Sequence, residues 1–439
     1  MKLNKLAVLA MITALIGPAH AGLGLEGLIT KSRVLYEQET GQAKTGRQLN
    51  ALNQRLATGE ASITLYAGPK SRKDPLSIDP NQIGTGIRFD TLQSAEVGDQ
   101  RFDLRLSLGN KDKTDSAKAA DGTELAWRFE HADLYVSSQP RHWGPGWVGS
   151  LILDQSSPAY WTVGVRRPVA VESDSKWLSW VGPWAADFFV GQLQEHTDPA
   201  DPYLIGIRVL LVPIDSLEIG LSRAIQWGGE GRPQNWTSFK NALIGNDNVT
   251  DGGINRENEP GNQLAGVDLR YAVPLENRQT VAVYGQLIGE DETDHLPSKF
   301  MRQLGAEYAD NQGAIPWRMF FEVSETKAGK LVGAGYRNSI YQQGFTNRSQ
   351  SLAHPMGGDA RLYSLGVVAS RANSAVVAVV HTGDTLQGSQ FYTANGSVSG
   401  AQLGVMIRNK NVDSGVNLSY FKAPGVKEEH AQVFVRWNM

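Results

Sequence analysis

The sequence predicts an all-β protein, a transmembrane antiparallel β-barrel of about 18 strands, and three observations lead to that prediction. The chain opens with a secretory signal, which would direct it out of the cytoplasm. From Ile87 onward, apolar and polar residues alternate with a period of two in many short runs, the pattern of half-buried strands. After the signal there is no run of about 18 apolar residues, so strands and not helices are expected to cross the membrane.

The composition agrees with a large barrel and excludes several classes of protein. The chain has 439 residues, and its 47 glycines suit many turns better than long helices. The net charge of -3 offers no basic excess for nucleic acid. Because Cys is absent, a disulfide scaffold, a thiol nucleophile and a Cys-zinc site are excluded. The chain also lacks HExxH, phosphate-loop and nucleophile-elbow motifs, so neither a metal, a cofactor nor an enzyme activity is predicted.

Residues 1–21 are predicted to be a cleaved signal peptide. Lys2 and Lys5 form its charged start, and Ala19-His20-Ala21 fits the small-x-small cleavage rule. The apolar core between them is too short for a transmembrane helix. The mature chain is therefore expected to begin at Gly22 and to be exported to the cell outer membrane.

Residues 22–80 are predicted to form an N-terminal periplasmic segment that is partly helical and ends in a linker. Leu49, Leu52 and Leu56 lie on one stripe of a short helix. The following stretch, Ala61 to Tyr66, is either a strand or a lead-in, and residues 68–85 are rich in Pro, Gly, Ser and Lys. The barrel itself is expected to span residues 81–439.

The predicted strand near Gln100 shows the alternation most clearly. Its residues Phe102, Leu104 and Leu106 share one face, which is expected to contact lipid, whereas Asp103 and Arg105 share the other, which is expected to face the lumen. Strands of this kind are predicted to begin near Ile87, Gln100, Glu124, Val148, Trp161, Trp184, Tyr203, Ser216, Gln263, Arg278, Met301, Trp317, Leu331, Arg361, Ser374, Gln402, Ser414 and Ala431.

Short turns alternate with long polar connections, notably 226–262, 337–360 and 382–399, as in outer-membrane barrels. If both termini are periplasmic, the parity of the predicted strands places the 226–262 connection on the periplasmic side as well. Within it, Asn235 and Gly245 are expected to cap a short helix that packs on the barrel mouth. A soluble β-sandwich or propeller would also alternate, but the repeat of about 40 residues typical of propellers is missing.

The most unusual stretch is the heptapeptide Arg141-His142-Trp143-Gly144-Pro145-Gly146-Trp147. Its Gly-Pro-Gly centre demands a tight turn, around which stand two indoles, one guanidinium and one imidazole. Such a group can stack on a flat apolar face and can also hydrogen-bond hydroxyls or pair with an anion, and carbohydrate is one ligand of that description. The alternative is structural: the Trp residues anchor a membrane interface and the Arg faces solvent.

Together with later motifs, the heptapeptide resembles the Wzi family of capsule assembly proteins. The other matching motifs are Ser150-Leu151-Ile152-Leu153, Arg166-Arg167-Pro168, Ile340-Tyr341-Gln342-Gln343-Gly344-Phe345 and Ala353-His354-Pro355-Met356-Gly357-Gly358-Asp359-Ala360. The resemblance implies an eighteen-stranded outer-membrane barrel of a Gram-negative cell, with short helical elements at the periplasmic side. It implies a lectin-like protein that holds capsular polysaccharide on the cell surface without catalysis.

The candidate polysaccharide-binding residues come from these motifs and their surroundings. They are Arg141, His142, Trp143, Arg166, Arg167, Arg348, His354 and Asp359. Arginine is expected to pair with any uronate carboxylate. The expected partners are capsular polysaccharide, outer-membrane lipid and lipopolysaccharide, but not nucleic acid, and the protein is expected to be a monomer.

The sequence leaves three further possibilities open. An eighteen-stranded barrel is wide enough to be a diffusion channel for sugars or anions unless it is plugged. The acidic cluster Glu290–His295 is expected to be a solvated loop, although a cation or lipopolysaccharide can also be accommodated by such a cluster. The segment Asp247–Gly252 resembles a calcium loop only faintly, because its spacing fails the EF-hand pattern.

Overall fold

The structure is a computed structural model. It describes residues 25–40, 60–68, 75–76, 85–98, 100–110, 121–155, 157, 159–172, 181–194, 196, 198–245, 258–293, 296–392 and 394–439. The predicted signal peptide, the predicted helix around Leu49, Leu52 and Leu56, and the Asp247–Gly252 segment lie outside these residues.

The described residues form two α-helices and a series of antiparallel strands. The helices are α1 (Leu25–Glu39) and α2 (Trp236–Ile244). The strands are β1 (Ala61–Ala67), β2 (Thr85–Val97), β3 (Gln100–Asn110), β4 (Glu124–Arg128), β5 (Asp133–Ser137), β6 (Thr162–Val171), β7 (Trp184–Gln192), β8 (Tyr203–Ile214), β9 (Leu217–Trp227), β10 (Gly261–Pro274), β11 (Gln279–Thr293), β12 (Leu296–Asp310), β13 (Trp317–Glu325), β14 (Thr346–Asn347), β15 (Gln350–Ser351), β16 (Ala360–Arg371), β17 (Ser374–Thr385), β18 (Gly396–Asn409), β19 (Val412–Ala423) and β20 (Val426–Asn438).

All strands except β14 and β15 belong to one closed barrel of 18 strands. Each barrel strand pairs with its neighbours in sequence, and β1 closes the ring by pairing with both β2 and β20. Strands β14 and β15 form a separate small hairpin. Neither described helix is long and apolar enough to cross a membrane. The predicted all-β barrel of eighteen antiparallel strands is therefore confirmed.

The two ends of the barrel differ in the length of their connections. We call the end where β1 starts and β20 stops the turn end; most of its connections are tight, such as those at 98–99, 215–216, 372–373 and 410–411. We call the opposite end the loop end. It carries long connections, among them 138–161, 228–260 and 326–359. In outer-membrane barrels the short turns are periplasmic and the long loops extracellular.

The outward face of the barrel is apolar and bordered by aromatic rings, as lipid contact requires. Leu104 is exposed on this face while its neighbour Asp103 is buried towards the lumen, which confirms the predicted alternation. Outward aromatic residues near the turn end are Trp127, Trp184, Tyr271, Tyr308, Trp317 and Trp437. Outward aromatic residues near the loop end are Tyr203, Trp227, Tyr363 and Tyr420.

Four predicted strand assignments were wrong, although the total was right. β1 and β5 are barrel strands that the prediction left out, so the barrel begins at Ala61 and not at residue 81. The strands predicted near Val148 and Leu331 do not exist; both residues lie in long connections. A short apolar run such as 148–153 looks the same to periodicity whether it is a strand or a packed loop.

These errors also put one connection on the wrong side. The prediction has eight strands before this connection, whereas the structure has nine, β1 to β9. An even number of strands returns the chain to its starting end, so the prediction put the long 226–262 connection at the same end of the barrel as the termini. The structure places it at the loop end. Its helix α2 was predicted correctly: the Asn235 side chain accepts from Ser238 N at 2.9 Å, and Gly245 ends the helix with φ 80°. It packs on the outer wall, however, and not on the mouth.

Helix α1 lies inside the barrel at its turn end. Glu26 at its start pairs with Arg436 on β20 at 2.8 Å, and Glu39 at its end pairs with Arg318 on β13 at 2.6 Å. A helix of 15 residues is about 22 Å long, so α1 reaches from one wall of the lumen to another. Ion pairs at both ends of α1 therefore fix the helix across the lumen, between β20 and β13.

The outward face yields a direct test of orientation. Leu104→Arg would place a guanidinium in lipid near the middle of β3, and the expected cost in unfolding free energy is about 2–4 kcal/mol. Val97→Arg is the control, because Val97 lies at the turn-end edge of β2 where the cost falls to about 0–1 kcal/mol. Urea unfolding in lipid vesicles measures both. Equal destabilisation by the two variants would contradict the assigned lipid face.

Candidate functional site

The connection 138–161 does not project from the loop end but folds back into the lumen. Trp143 and Trp147 of the heptapeptide are both 0% exposed. Trp147 stacks on Phe320 of β13, with ring centroids 4.9 Å apart and planes 9° from parallel. Trp143 meets Phe189 of β7 edge-on at 5.6 Å. In this structure neither indole has a surface on which a sugar ring can stack.

Polar side chains of β11 and β13 hold the backbone of this connection. The carboxylate of Glu322 accepts hydrogen bonds from the backbone N–H groups of Trp147 at 2.6 Å and Val148 at 3.1 Å. Gln286 donates to the carbonyl of Trp143 at 2.7 Å. A loop buried in a barrel must find partners for its backbone groups, and these lumen-facing side chains provide them.

The Gly-Pro-Gly turn meets α1 in the middle of the lumen. Lys31 Nζ donates to the carbonyls of Pro145 and Gly146, both at 2.5 Å, and lies 4.8 Å from the centre of the Trp147 ring. Burial lowers the pKa of Lys31 to about 8. A Cβ at Gly146 would lie 2.1 Å from the Gly149 carbonyl, so the second glycine of the turn is required by packing. The turn and helix α1 thus pack against each other and together occupy the lumen.

Arg141 and His142 are also engaged inside the protein. Arg141 donates to the Tyr135 hydroxyl at 3.1 Å, and its Nε lies 3.6 Å from an Asp187 oxygen. His142 Nδ1 is 2.8 Å from Asp154, and its Nε2 is 3.0 Å from the Gly146 carbonyl. Both side chains stabilise the folded connection rather than extend into solvent.

We call the connections 138–161 and 326–359 the first and second motif blocks, and the second block is buried in the same way as the first. Arg348 forms a two-armed pair with Asp121 at 2.8 and 3.3 Å. His354 Nε2 is 2.8 Å from the Ser324 hydroxyl, and its Nδ1 accepts from Met356 N at 3.3 Å. Burial lowers the pKa of His354 to about 4, so the ring is neutral and Nε2 carries the proton.

Asp359 organises the part of this connection nearest the loop end. Its two carboxylate oxygens accept from the backbone N–H groups of Gly333 and Gly335, each at 3.2 Å. Burial is the main cause that raises the pKa of Asp359, and nearby Arg337 and Lys327 oppose that rise. These two hydrogen bonds to Asp359 therefore fix the backbone of residues 333–335.

The two motif blocks pack against each other to form a single plug. Tyr336 donates its hydroxyl to the Leu151 carbonyl at 2.9 Å, and Asp154 N donates to the Leu352 carbonyl at 2.8 Å. Glu290 of β11 accepts from Tyr336 N at 3.1 Å, so this member of the acidic cluster is buried and not in a solvated loop. One buried apolar cluster contains side chains of both blocks: Trp143, Leu151, Ile152, Leu153, Tyr336, Phe345, Leu352 and Ala353.

Arg166 and Arg167 lie on β6, away from that plug core. Arg166 faces the lumen, where it forms a two-armed pair with Glu124 at 2.6 and 2.9 Å. Arg167 faces outward, with its guanidinium 4.3 Å from the ring centre of Trp184 near the turn end. The structure thus brings Arg141, His142, Trp143, His354 and Asp359 into or beside one plug. Arg348 of the 326–359 connection is paired with Asp121 just before β4, Arg166 is paired with Glu124 on the wall, and Arg167 is separated from all of them.

The prediction missed the accessible surface that the plug presents at the loop end. Phe391 is 40% exposed, and its ring lies against Gly357, where a Cβ would come within 2.5 Å of it. Arg337 is exposed and donates to the Ser389 carbonyl at 2.8 Å. Lys330 is exposed in the same 326–359 connection as Arg337. We call Phe391, Arg337 and Lys330 the loop-end patch.

A cavity lies at the opposite end of the barrel. Its volume is about 510 Å³, and it lies between α1 and strands β1, β18, β19 and β20. Its lining is charged and of mixed sign, including Arg33, Glu37, Arg408 and Asp413. Because it belongs to the turn end, it is separated from the loop-end patch by the plug.

Comparison with known proteins supports the family that the motifs resemble. The family model described as capsule assembly protein Wzi matches residues 84–413. A Klebsiella pneumoniae protein described as an uncharacterized 55.8 kDa protein in the cps region is 30% identical over 341 residues, which make up 76% of this chain. The alignment spans 66% of that relative's length.

A similar solved structure is that of Escherichia coli Wzi, described as an outer-membrane protein involved in group 1 capsule assembly and a carbohydrate-binding β-barrel. The TM-score is 0.74 at 22% identity, and the match covers 97% of this chain and 99% of the other. At this identity the likeness establishes the barrel fold.

The contacts of Glu322 generate a test of the plug. Glu322→Ala removes the acceptor of two backbone N–H groups, and hydrogen bonds to a charged group contribute about 1.5–3 kcal/mol each. The plug should loosen, and ion-current openings should appear in planar bilayers. Glu325→Ala is the control: this carboxylate lies on the same strand but pairs with the partly exposed Arg361. If both variants conduct no more than the parent, Glu322 does not hold the plug.

Proposed function

The chain belongs to the Wzi family of capsule assembly proteins, and we propose on that basis that it binds capsular polysaccharide and attaches it to the cell surface during capsule assembly. The observation that carries this proposal is the combination of a filled lumen with a basic and aromatic surface at the loop end. Binding and retention need such a surface, whereas transport needs an open path.

The filled lumen argues against the rival function, a diffusion channel for sugars or anions. Both motif blocks and α1 occupy the space between the walls. Lys31 ties the helix to the turn, and Glu322 ties the turn to β13. A pore through these contacts would require several buried hydrogen bonds and ion pairs to break together, each costly in a medium of low dielectric constant.

The loop-end patch is the surface we assign to the polymer. An exposed ring such as Phe391 can stack on the apolar face of a sugar, and exposed cations such as Arg337 and Lys330 can pair with uronate carboxylates. Each contact is weak, but a polymer presents the same groups many times, so retention grows through multivalency. With the loop end outside the cell, the patch faces the capsule.

We assign the eight motif residues an indirect role. Trp143, His354 and Asp359 shape the plug on which the patch is built, and Asp359 is connected most directly because it fixes residues 333–335. Arg141, His142, Arg166 and Arg348 stabilise the lumen beneath it, while Arg167 belongs to the outer wall. Their substitution would alter polysaccharide retention by deforming the support.

The remaining parts of the proposal concern export and placement in the membrane. A signal peptide at residues 1–21 is removed during export, and the barrel sits in the outer membrane as a monomer. The outward apolar face contacts outer-membrane lipid and lipopolysaccharide, whereas the turn end and α1 are periplasmic. The polymer is held and not cleaved.

The proposal can be tested in an encapsulated strain that lacks the gene. The strain should still make polymer but release it into the medium. The parent gene should restore retention, whereas Arg337→Ala/Phe391→Ala should lower cell-bound polymer about tenfold or more, because two losses of about 1 kcal/mol multiply across repeated contacts. The matched control is Phe129→Ala/Arg371→Ala, which removes an exposed aromatic and an exposed cation at the turn end.

Two outcomes would count against the proposal. Total polymer falling to zero in the deletion strain would indicate a role in synthesis or export. Full retention by a correctly inserted Arg337→Ala/Phe391→Ala variant, judged by heat-modifiability on gels, would show that the polymer contacts another surface.

A further inference from the structure

Helix α2 covers a part of the barrel wall that would otherwise face the membrane. Ile205 on β8 and Ile225 on β9 are cross-strand partners on the outward face. Further along β9 on that face, Leu221 is 47% exposed, yet Ile205 and Ile225 are both 0% exposed. They form one buried cluster with Ala242 of α2. The helix is therefore packed on the outside of the barrel.

An outward-facing arginine fixes the helix in that place. Arg223 of β9 donates to the carbonyls of Leu243 at 3.0 Å and Ala242 at 3.3 Å, and to the Gln263 side chain at 2.7 Å. The last carbonyls of a helix lack partners within it and carry partial negative charge. A guanidinium on the outer wall is unfavourable in lipid, and here the end of α2 both covers it and accepts its hydrogen bonds.

The helix is also well defined by its own sequence. Asn235 and Ser238 form a capping box, in which each side chain accepts from the backbone N–H of the other residue. Gly245 ends the helix in the left-handed conformation that favours glycine. The nine residues between these caps therefore present fixed faces to the wall and away from it.

Aromatic contacts place α2 at the level of the loop-end girdle. Tyr203 and Trp227 lie at the loop-end limits of β8 and β9, with ring centroids 5.6 Å apart. Phe239 of α2 meets Trp227 edge-on at 5.4 Å, and Trp236 stacks on Phe239 at 5.6 Å. Aromatic girdles of membrane barrels sit at the boundary between headgroups and acyl chains. The girdle thus continues from the wall onto the helix.

The face of α2 that points away from the barrel contains Trp236, Lys240 and Ile244, spaced four residues apart on one stripe, with the exposed Thr237 beside them. Trp236 is 74% exposed and Ile244 is 51% exposed. Two large apolar side chains around one lysine suit a membrane interface, where rings and aliphatic groups enter the acyl boundary and a lysine extends its ammonium to the headgroups.

We propose that α2 is an interfacial helix seated in the outer leaflet of the membrane, with Trp236 and Ile244 among acyl chains and the Lys240 ammonium at headgroup phosphates. The occupant of this face is thus a lipid surface. The continuity of the stripe with the lipid-facing wall and the girdle favours lipid over a second copy of the barrel. The inference needs only the barrel in a membrane and does not depend on polysaccharide binding.

Spin labelling can test this placement without background, because the chain contains no Cys. Labels are attached to Trp236→Cys, Lys240→Cys and Ile244→Cys in the full-length barrel, reconstituted in vesicles of phosphatidylcholine and phosphatidylglycerol. Accessibility to oxygen reports contact with acyl chains, and accessibility to a soluble nickel chelate reports contact with water. Leu221→Cys provides the lipid control, and Glu230→Cys, exposed in the same connection as α2, provides the water control.

The expected result is that labels at 236 and 244 match the lipid control in oxygen preference, with the label at 240 intermediate. Heat-modifiability confirms that each variant is folded. If labels at 236 and 244 match the water control, the helix faces solvent and the proposal is overturned. Strong label–label dipolar coupling at 236 that persists when lipid is in large excess would equally overturn it, because the face would then be covered by a second barrel.

Discussion

The structure depends on the contact between the Glu322 carboxylate and the backbone of the folded-in connection. Trp147 N and Val148 N are both donors to this one side chain on β13. An eighteen-stranded barrel encloses more space than its wall side chains can fill, so its lumen is either open to water or filled by other chain segments. Once a loop enters, each backbone polar group in it needs a partner. The lumen-facing carboxamides and carboxylates of β11 to β13 satisfy that constraint.

The same constraint explains why the chain uses so many arginines inside the barrel. Arg348 with Asp121, Arg166 with Glu124 and Arg436 with Glu26 are pairs between segments distant in sequence. A buried charge without a partner is strongly destabilising, so each pair fixes the relative position of the two segments that it joins. The cations that the sequence offers as ligands for an anionic polymer are mostly committed to these pairs. The cations of the loop-end patch are exposed instead. Asp359 fixes the backbone of residues 333–335 in the connection that carries them.

The barrel could be predicted from the sequence because alternation is a local property. Phe102, Leu104 and Leu106 reveal a lipid face without reference to any other segment. The strand limits were harder to predict. Strand β5 is only five residues long, so its alternation is short. The run at 148–153 is apolar because it is buried in the plug, not because it faces lipid. The two missed strands and two false strands cancelled in the total while reversing the side of the connection that holds α2.

The site could be predicted only in part, for the opposite reason. The heptapeptide was recognisable as special, since its glycines and aromatic rings demand a particular environment. Its role follows from contacts that no local pattern contains: Trp147 and Glu322 are 175 residues apart in sequence. The exposed residues Arg337 and Phe391 carry no distinctive motif of their own, so the surface they form appears only when the plug is folded. The sequence motifs therefore identify residues that stabilise the plug, whereas the exposed surface of the loop-end patch can be recognised only in the folded structure.

The central claim is that the polymer rests on the loop-end patch while the plug residues, including Trp143, stay buried beneath it. Single-cysteine labelling tests it most directly, with Arg337→Cys at the patch, Arg371→Cys at the turn end and Trp143→Cys in the plug core, each treated with a maleimide with and without purified capsular polysaccharide. The account predicts that polysaccharide slows labelling at 337 only, and that position 143 in the folded barrel does not react in either condition. Rapid labelling at 143 that polysaccharide suppresses, with no protection at 337, would contradict it.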